Sequence, residues 1–405
     1  MFNLFPLYID PGTGSLLFSV LIGLAAGSYF LFRTLIIRAK SFFSGKSKIL
    51  KSTSGYVIYN EAAHYWPVFQ MILEEFESRK IDVQYLTSVD TDPVFKKNYT
   101  YVHSEFIGEG NKAFKTLNFL ETSICLMTTP GLDVYQLKRS KLCKHYSHIL
   151  HDIGDATCYR LFGTDWYDSL LLSGDYQIKD IRLLEQMRSM PEKELIVVGS
   201  TYLDYYNDKV KELPTEESHI FTVLVSPSWG SGALLNALGE KLLDSLNNSG
   251  WRIIVRPHPQ SKTSEAELLK HLESKYHSFV WDYNSENLDS LSKADVMISD
   301  FSTIIFDYSF MFNKPVLFHN AGFNKAMYDA GDFEHDPWKF EAVKKFGIEI
   351  SENDLPNIKD IVQKAASDTS LSAEREKARK IAWQNMGQSG KAAVDALVGI
   401  RSRLE

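Results

Sequence analysis

Arg256 and His258 lie close together in the sequence, where a predicted strand in the second half of the chain ends. The segment Arg256-Pro257-His258-Pro259 directly follows the predicted strand 251–255. Two prolines restrict the backbone on both sides of His258, so its imidazole is held in place. A fixed imidazole suits proton transfer or a hydrogen bond to a phosphate oxygen, and Arg256 can neutralise the same anion. We therefore predict that His258 is catalytic and that Arg256 binds the substrate.

Two further segments, 226–232 and 299–303, are rich in hydroxyl groups and small residues and precede predicted helices. The backbone amides at a helix start, together with the helix dipole, attract anions such as phosphate. Asp300 can also accept a hydrogen bond from a hydroxyl group of a sugar or polyol. An ordinary turn that caps a helix is the alternative for either segment. The predicted substrate-binding residues of the two segments are Ser228, Gly230, Ser231, Asp300, Ser302 and Thr303.

A candidate general base lies in the first half of the chain. His151 follows the apolar segment 147–150 and precedes Asp152 and Gly154, as at the end of a strand. A neutral imidazole can take a proton from an attacking hydroxyl group near neutral pH. We therefore predict that His151 is catalytic and that Asp152 contacts the substrate. Metal binding by His151, Asp152 and Asp155 is the lesser alternative, because their spacing matches no standard site.

Strands that alternate with helices must position these segments. The predicted strands are 55–59, 82–86, 123–127, 147–150, 169–172, 195–198, 220–225, 251–255, 295–298 and 315–318, with helices at 67–79, 233–246, 264–276 and 303–312. This alternation predicts two doubly wound α/β domains with parallel sheets, at 51–205 and 206–405, that face a cleft. Ligands of such sheets bind beyond the carboxyl ends of the strands. We expect the helical C-terminal stretch 371–404 to pack across the domains or onto the first one.

The N-terminal segment 1–50 differs from the rest of the chain. No side chain from Pro11 to Phe32 carries a formal charge, and about 20 apolar residues suffice for a helix to span a bilayer. Basic residues follow this stretch, which predicts that the remainder is cytoplasmic. We therefore predict a single-pass transmembrane helix with a basic linker, and localisation at the cell (inner) membrane. A cleaved signal peptide, which needs basic residues before the apolar stretch, and a shallow re-entrant helix are the weaker alternatives.

Composition and missing motifs narrow the classes of function. The 405 residues include 44 Lys and Arg against 51 Asp and Glu, a formal net charge of −7, so nucleic acid is not an expected partner. The three cysteines form no CxxC pair, which argues against a disulfide framework or a zinc site. The sequence contains no Gly-rich dinucleotide fingerprint, P-loop or GxSxG elbow, so nicotinamide oxidoreductases, P-loop kinases and common hydrolases lose support.

The motifs of the second half resemble those of a known enzyme family. The segment 256–259, followed by 299–307 and Lys314-Pro315-Val316, resembles the CDP-glycerol glycerophosphotransferase family, whose members build or prime teichoic-acid-like polymers. The resemblance implies a GT-B-like fold with two Rossmann-like domains, the second binding most of the donor nucleotide. It also implies that His258 and the loop of Ser302 and Thr303 bind the phosphates and glycerol of the donor.

In the first domain, members of this family carry a His-Gly-x-Pro-x-Lys signature that holds the proposed base. The segment 151–155 keeps the histidine but lacks the adjacent glycine, the proline and the lysine. From the resemblance we expect transfer of glycerol phosphate from CDP-glycerol to a hydroxyl group of a lipid-linked cell-envelope glycan or polymer. CMP would be released, and no cofactor would be needed. A GT-B glycosyltransferase that uses a nucleotide sugar, and an inactive membrane-bound scaffold of the same fold, stay open as alternatives.

Overall fold

Two parallel β-sheets organise the part of the chain that the computed structural model describes, which comprises residues 50–213, 219–247, 249–284, 286–320 and 324–405. Residues 50–405 form one compact unit. The predicted transmembrane helix lies outside the described residues. Within the described ranges, no helix is both long enough and apolar enough to cross a membrane.

The first sheet is built from the N-terminal half of the described chain. Its strands are β1 (Leu50–Lys51), β2 (Tyr56–Asn60), β3 (Val83–Thr87), β4 (Val102–Phe106), β5 (Leu120–Met127), β6 (Cys143–Ile149), β7 (Ser169–Leu172) and β8 (Glu194–Val197). The order is β4-β3-β2-β5-β6-β7-β8, with β1 also paired to β5, and the strand pairs are parallel. The register places Met127 opposite His148, so β5 and β6 end side by side.

The second sheet repeats this winding. Its strands are β9 (Thr222–Val225), β10 (Arg252–Val255), β11 (Val280–Trp281), β12 (Val296–Ser299), β13 (Val316–Phe318) and β14 (Ile348–Glu349). They are parallel in the order β11-β10-β9-β12-β13-β14. This is the strand order of the doubly wound nucleotide-binding fold. All four residues of β9 and of β12 are buried, because helices cover both faces of the sheet.

Helices connect the strands and cover the two sheets. They are α1 (Trp66–Ser78), α2 (Asn111–Leu117), α3 (Ile178–Met187), α4 (Thr201–Lys211), α5 (Leu234–Ala237), α6 (Gly239–Asn247), α7 (Ser261–Ser264), α8 (Ala266–Lys275), α9 (Leu288–Lys293), α10 (Ile304–Phe312), α11 (Trp338–Phe346), α12 (Ile358–Ser367), α13 (Ser372–Ala382) and α14 (Ser389–Leu404). In α1, Val68, Ile72 and Phe76 share one face at a spacing of four residues, and all three are 0% exposed.

The last helix returns to the first sheet. Val394 and Leu397 of α14 belong to the hydrophobic core that contains Ile72 and Phe76 of α1. In contrast, Ala378 and Ala382 of α13 pack in the core around the second sheet. Residues 389–404 therefore lie with the first domain, whereas the sequence-based boundary grouped them with the second.

The predicted α/β class with two doubly wound parallel sheets is confirmed. Strand β4 was not predicted, because all of its residues except Val102 are exposed and carry no apolar periodicity. The predicted helix 233–246 is divided into α5 and α6 around Leu238. The predicted domain boundary, between residues 205 and 206, falls inside the helix α4.

Candidate active site

Three loops of the second domain meet at the carboxyl edge of its sheet. They follow β10, β9 and β12, which are neighbours in the sheet. Chain connections leave in opposite directions from β9 and β12, and ligands of open α/β sheets bind at such a switch point. Because neighbouring strands lie about 4.8 Å apart, the loops after β10 and β12 are roughly 10 Å apart on either side of β9. Groups on these two loops can therefore reach one ligand.

His258 lies in the loop after β10, and one of its ring nitrogens accepts a hydrogen bond. The Gln260 backbone amide donates to His258 Nδ1 at 3.1 Å, so a neutral ring carries its proton on Nε2. The side chain is half-buried, and Nε2 makes no hydrogen bond with the described residues. Burial lowers the pKa of His258, whereas the nearby Glu265 carboxylate acts in the opposite direction. His258 can thus present an N–H donor to a ligand even when it is neutral.

The start of helix α10 carries donors that no described residue accepts. The half-buried hydroxyl groups of Ser302 and Thr303 make no hydrogen bond within the described structure. The amides of Thr303 and Ile304 likewise find no acceptor among the described backbone groups. Amide and hydroxyl donors at a helix N-terminus form an anion site. This geometry supports the predicted phosphate contacts of Ser302 and Thr303.

Asp300 holds two loops together instead of facing a ligand. It is 2% exposed, and its carboxylate accepts a hydrogen bond from the Leu234 amide at 2.8 Å. It also accepts from the amides of Ser228 at 3.0 Å and Ser302 at 3.2 Å. The predicted contact with a sugar or polyol hydroxyl is therefore corrected, because backbone amides occupy the carboxylate oxygens. Asp300 positions Ser228 and Ser302 relative to each other.

The loop after β9 forms a set of capped turns, not an open anion cradle. The Ser228 amide is bound by Asp300, and the Gly230 amide donates to the Glu265 carboxylate at 2.7 Å. Gly230 has a φ of +96°, so the glycine allows the turn itself. A carboxylate beside these amides repels a second anion. The geometry thus corrects the predicted phosphate binding by Ser228 and Gly230, and Ser231 is exposed at the tip of the same loop.

Arg256 is held by partners of its own domain. Its Nη1 forms an ion pair with Asp282, which is 7% exposed, and its Nη2 donates to the Asn284 carbonyl oxygen at 2.7 Å. The charge of Arg256 is thereby neutralised within the protein. Its predicted contact with a substrate phosphate is corrected to a structural role, in which it fixes the segment after β11 to the end of β10.

His151 follows β6 and lies half-buried at the carboxyl edge of the first sheet. Its Nδ1 is 3.1 Å from Thr128 Oγ1 and 3.2 Å from the Tyr159 hydroxyl. The Tyr65 ring packs against the imidazole with 4.9 Å between the ring centroids. Burial lowers the pKa of His151, while Asp152 and a hydrogen bond to the Thr128 backbone act in the opposite direction. A lowered pKa keeps the imidazole neutral near pH 7, as a general base requires.

The second domain fixes the loop that carries His151. Ile153 is 0% exposed and belongs to the hydrophobic core around the second sheet. Asp155 accepts hydrogen bonds from the Lys339 amide at 3.0 Å and from the Trp338 amide at 3.1 Å, at the start of α11. A Cβ atom on Gly154 would lie 3.1 Å from Thr303 Cγ2. The base and the helix start of α10 therefore face the same cleft.

Two carboxyl groups lie beside this contact. The predicted substrate residue Asp152 accepts a hydrogen bond from the Gly154 amide at 2.8 Å and is half-buried. Asp307, one turn along α10 from Thr303, accepts from the Tyr202 hydroxyl at 3.2 Å. Burial and the charge of Asp152 raise the pKa of Asp307 to about 8, against the effect of the Tyr202 hydrogen bond. Asp307 is therefore largely protonated at neutral pH.

A cavity of about 150 Å³ opens beside the β12 loop. Phe301, Phe318 and Phe340 supply aromatic surface, while Asp336 and His319 supply polar groups. Aromatic walls with a few polar groups suit a planar heterocycle, such as a nucleobase. A whole nucleotide needs more room than this cavity offers.

Sequence reasoning missed the residues that surround the base. Tyr65 follows β2, Thr128 follows β5, and Tyr159 lies in the loop after β6. The signal was present for Thr128, since it directly follows the predicted strand 123–127. The contacts of Tyr65 and Tyr159 depend on the folded loops, which a pattern of residue types does not specify.

The comparisons with known proteins concern the sequence and the fold of the chain. Residues 190–382 match the family model described as CDP-Glycerol:Poly(glycerophosphate) glycerophosphotransferase. The chain is 31% identical over 87 residues to the minor teichoic acid biosynthesis protein GgaB of Bacillus subtilis (strain 168). That match covers 22% of this chain and only 9% of the length of GgaB.

Solved structures share the fold at low sequence identity. A variant of the wall teichoic acid polymerase TagF, soaked with CDPG, superposes with a TM-score of 0.55 at 13% identity, covering 95% of this chain and 99% of that one. The UDP-GlcNAc 2-epimerase of Neisseria meningitidis, bound to UDP-GlcNAc, gives 0.54 at 13% identity, covering 86% and 100%. These matches confirm a GT-B-like α/β fold. The resemblance predicted from the motifs is also confirmed, since residues 190–382 match the model of the CDP-glycerol glycerophosphotransferase family.

Proposed function

We propose that this protein transfers glycerol phosphate from CDP-glycerol to a hydroxyl group of a cell-envelope glycan or polymer, and releases CMP. One observation carries the proposal. The unpartnered donors at the start of α10, with Thr303 beside Gly154, lie across the cleft from the loop that carries His151, whose pKa burial lowers. The family match over 190–382 supports the choice of a CDP-linked donor.

The donor would bind along the carboxyl edge of the second sheet. Its nucleobase would enter the cavity lined by Phe301, Phe318 and Phe340. Its diphosphate would lie between His258 Nε2 and the donors of Ser302 and Thr303. Such donors stabilise the negative charge that develops on phosphoryl oxygens during transfer. Among the predicted site residues, the one arginine, Arg256, is not free to stabilise this charge, because it is paired with Asp282.

His151 would act on the acceptor. Its ring nitrogen takes the proton of the acceptor hydroxyl, and the oxygen attacks the phosphorus atom that bears glycerol. A new phosphorus–oxygen bond forms, the bond to the bridging oxygen breaks, and CMP leaves with the electron pair. A base of this kind contributes about 10²–10⁴-fold to the rate. His151 then holds one proton, which it returns to solvent.

We further propose that the acceptor is lipid-linked and that residues 1–50 anchor the protein at the cytoplasmic face of the cell membrane. The uncharged stretch from Pro11 to Phe32, with basic residues after it, supports a single-pass anchor. Tethering confines the enzyme and a lipid-linked acceptor to the same interface, which raises their effective concentration.

The test is CMP release by the purified full-length protein, given CDP-glycerol and a lipid-linked glycan extract. We expect His151→Gln to lower kcat by about 10²-fold or more with little change in donor affinity. We expect His258→Ala to weaken CDP-glycerol binding by about tenfold to a hundredfold, because a donor to a charged phosphate is removed. His103→Gln and His103→Ala are the matched controls, since this exposed histidine pairs with Asp82 outside the cleft.

Two outcomes would contradict the proposal. If UDP or GDP sugars stabilise the protein against heat, and CMP, CDP and CDP-glycerol do not, the chain is a glycosyltransferase. If no nucleotide or nucleotide-linked donor binds at all, the chain is a scaffold that has kept the fold.

A further inference from the structure

We propose that Thr128 is a positioning residue, which holds the ring proton of His151 on Nδ1 and so leaves Nε2 free to act as the base. The inference rests on the proposed function, in which His151 accepts the proton of the acceptor. The predicted strand 123–127 puts Thr128 at a strand end, but no motif gives it a role. The assignment follows from the hydrogen bonds that converge on its hydroxyl group.

The single hydroxyl hydrogen of Thr128 is already used. Thr128 Oγ1 lies 2.7 Å from the Ile149 carbonyl oxygen, which can only accept, so the hydroxyl donates there. The same Oγ1 lies 3.1 Å from His151 Nδ1. Having no second hydrogen, Oγ1 can only accept from Nδ1. A neutral His151 ring therefore carries its proton on Nδ1.

Tyr159 could in principle reverse this assignment by donating its own hydrogen to His151 Nδ1, at 3.2 Å. That arrangement would set lone pairs of Nδ1 and Thr128 Oγ1 against each other at 3.1 Å, with no hydrogen between them. The Tyr159 hydroxyl has another acceptor, His148 Nε2 at 3.4 Å. Burial lowers the pKa of His148 to about 3, so its ring is neutral and can accept.

The network is rigid because strands supply it. Thr128 directly follows β5, Ile149 ends β6, and the two strands pair up to Met127 opposite His148. Thr128 is 0% exposed, so water does not compete for its hydroxyl group. His151 Nε2 makes no hydrogen bond with the described residues and is not among the buried unpartnered atoms. It therefore keeps some exposure to solvent.

Nitrogen NMR tests the tautomer directly. In the full-length protein labelled with ¹⁵N-histidine, with the His151 signals identified by their loss in His151→Gln, we expect a pyrrole-type Nδ1 and a pyridine-type Nε2. Thr128→Val should lose this preference, and Thr128→Ser should keep it. Thr129→Val is the matched control, because the neighbouring Thr129 hydroxyl is buried and has no partner among the described residues.

Kinetics give the second readout. We expect Thr128→Val to lower kcat by about tenfold to a hundredfold, as loss of a hydrogen bond that orients an active side chain does. KM for CDP-glycerol should not change, since Thr128 does not contact the loops after β9, β10 and β12. Thr128→Ser should restore kcat, and Thr129→Val should leave it unchanged.

A pyridine-type Nδ1 in the wild-type protein would overturn the assignment, whatever the variants do. Equal kcat values for Thr128→Val and Thr129→Val would also overturn it. The NMR result does not depend on catalysis, so it separates the two proposals. If CDP-glycerol is not a substrate but Nδ1 is pyrrole-type, the proposed function fails and the positioning role of Thr128 stands.

Discussion

The two catalytic candidates, His258 and His151, are both histidines, but their neutral rings carry the proton on different nitrogens. His258 Nδ1 accepts a hydrogen bond from the Gln260 amide, which leaves an N–H group on Nε2 to bind phosphate. The Thr128 hydroxyl donates its hydrogen to the Ile149 carbonyl oxygen, so it can only accept from His151 Nδ1. The ring proton of His151 is then on Nδ1, and the lone pair is on Nε2. Neighbouring hydrogen bonds thus assign the donor role to one imidazole and the base role to the other.

The pH dependence of the reaction should show the lowered pKa of His151. Burial favours the neutral ring, so the base stays deprotonated below the ordinary histidine pKa of about 6.5. We expect kcat/KM to be constant from pH 8 down to about 6.5 and to fall only below it. Asp152→Asn should move this acid limb to lower pH, because the Asp152 carboxylate raises the pKa of His151. An acid limb between pH 7 and 8 would contradict the assignment.

Asp300 should matter for the stability of the protein as well as for the positions of the loops after β9 and β12. In Asp300→Asn, an amide nitrogen faces backbone donors that now lack an acceptor. We expect a loss of about 1–3 kcal/mol in the free energy of unfolding, measured by urea denaturation, together with weaker donor binding. Asp208→Asn, at an exposed ion pair with Lys211, should change stability by less than about 0.5 kcal/mol. Equal losses in the two variants would refute the role of Asp300.

At the residue scale, the sequence predicted positions better than it predicted partners. His258, Ser302 and Thr303 lie at strand ends beside the cleft, where the pattern of apolar runs put them. Asp300 and Arg256 lie there too, but their side chains are turned to backbone amides and to Asp282. The direction of a side chain depends on competing partners that come from distant segments, so residue type and spacing alone do not determine it.

At the element scale, a bridging segment joins the two domains. This segment, 325–339, follows β13 and reaches the first domain. Asp329 is 0% exposed and accepts hydrogen bonds from the amides of Phe162 at 2.7 Å and Gly163 at 3.2 Å. Arg188, just after α3, pairs with Asp329 at 2.7 Å. The segment also leads into α11, which lines the candidate nucleobase cavity. The bridging segment therefore links the candidate nucleobase cavity to the first domain.

Arg188 should be the most sensitive position of this bridge. Arg188→Gln leaves Asp329 and the 8%-exposed Asp165 without their cation. An unpaired buried carboxylate costs about 3–5 kcal/mol. We expect a loss of this size in the free energy of unfolding and faster proteolysis within 325–337. Arg403→Gln, which breaks an exposed pair with Glu194, should do neither. An Arg188→Gln protein as stable as this control would show that the bridge is dispensable.

Elements with a buried apolar run were predictable, and the bridge was not. β9, β10 and β12 are short runs of buried residues, and each gives a clear signal. The segment 325–339 consists of two short 3-10 helices and loops, held by ion pairs and amide contacts. Such contacts leave no periodic pattern, so only the folded chain reveals them.

At the scale of the whole molecule, the C-terminal segment packs against both domains. Asp204 of α4 accepts a hydrogen bond from Trp383 Nε1 at 2.8 Å and another from the Ser389 amide at 3.0 Å. Beside Asp204, the chain thus passes from α13 on the second domain to α14 on the first.

The membrane anchor is the prediction that belongs to the whole chain. We expect the full-length protein to remain in the membrane pellet after alkaline carbonate extraction, since a helix of about 20 apolar residues holds it there. A variant that lacks residues 1–49 should be released into the supernatant. N-terminal sequencing separates the alternative: a mature chain that begins beyond Phe32 would indicate a cleaved signal peptide.

The most direct test of the central claim is a structure of the protein with CDP-glycerol bound. The account predicts hydrogen bonds from His258 Nε2, Ser302 and Thr303 to the diphosphate, with the cytosine ring in the cavity of Phe301, Phe318 and Phe340. It also predicts His151 Nε2 on the side of the phosphorus atom from which an acceptor would attack. A diphosphate bound elsewhere, or one that leaves His258 and the start of α10 without ligand contacts, would contradict it.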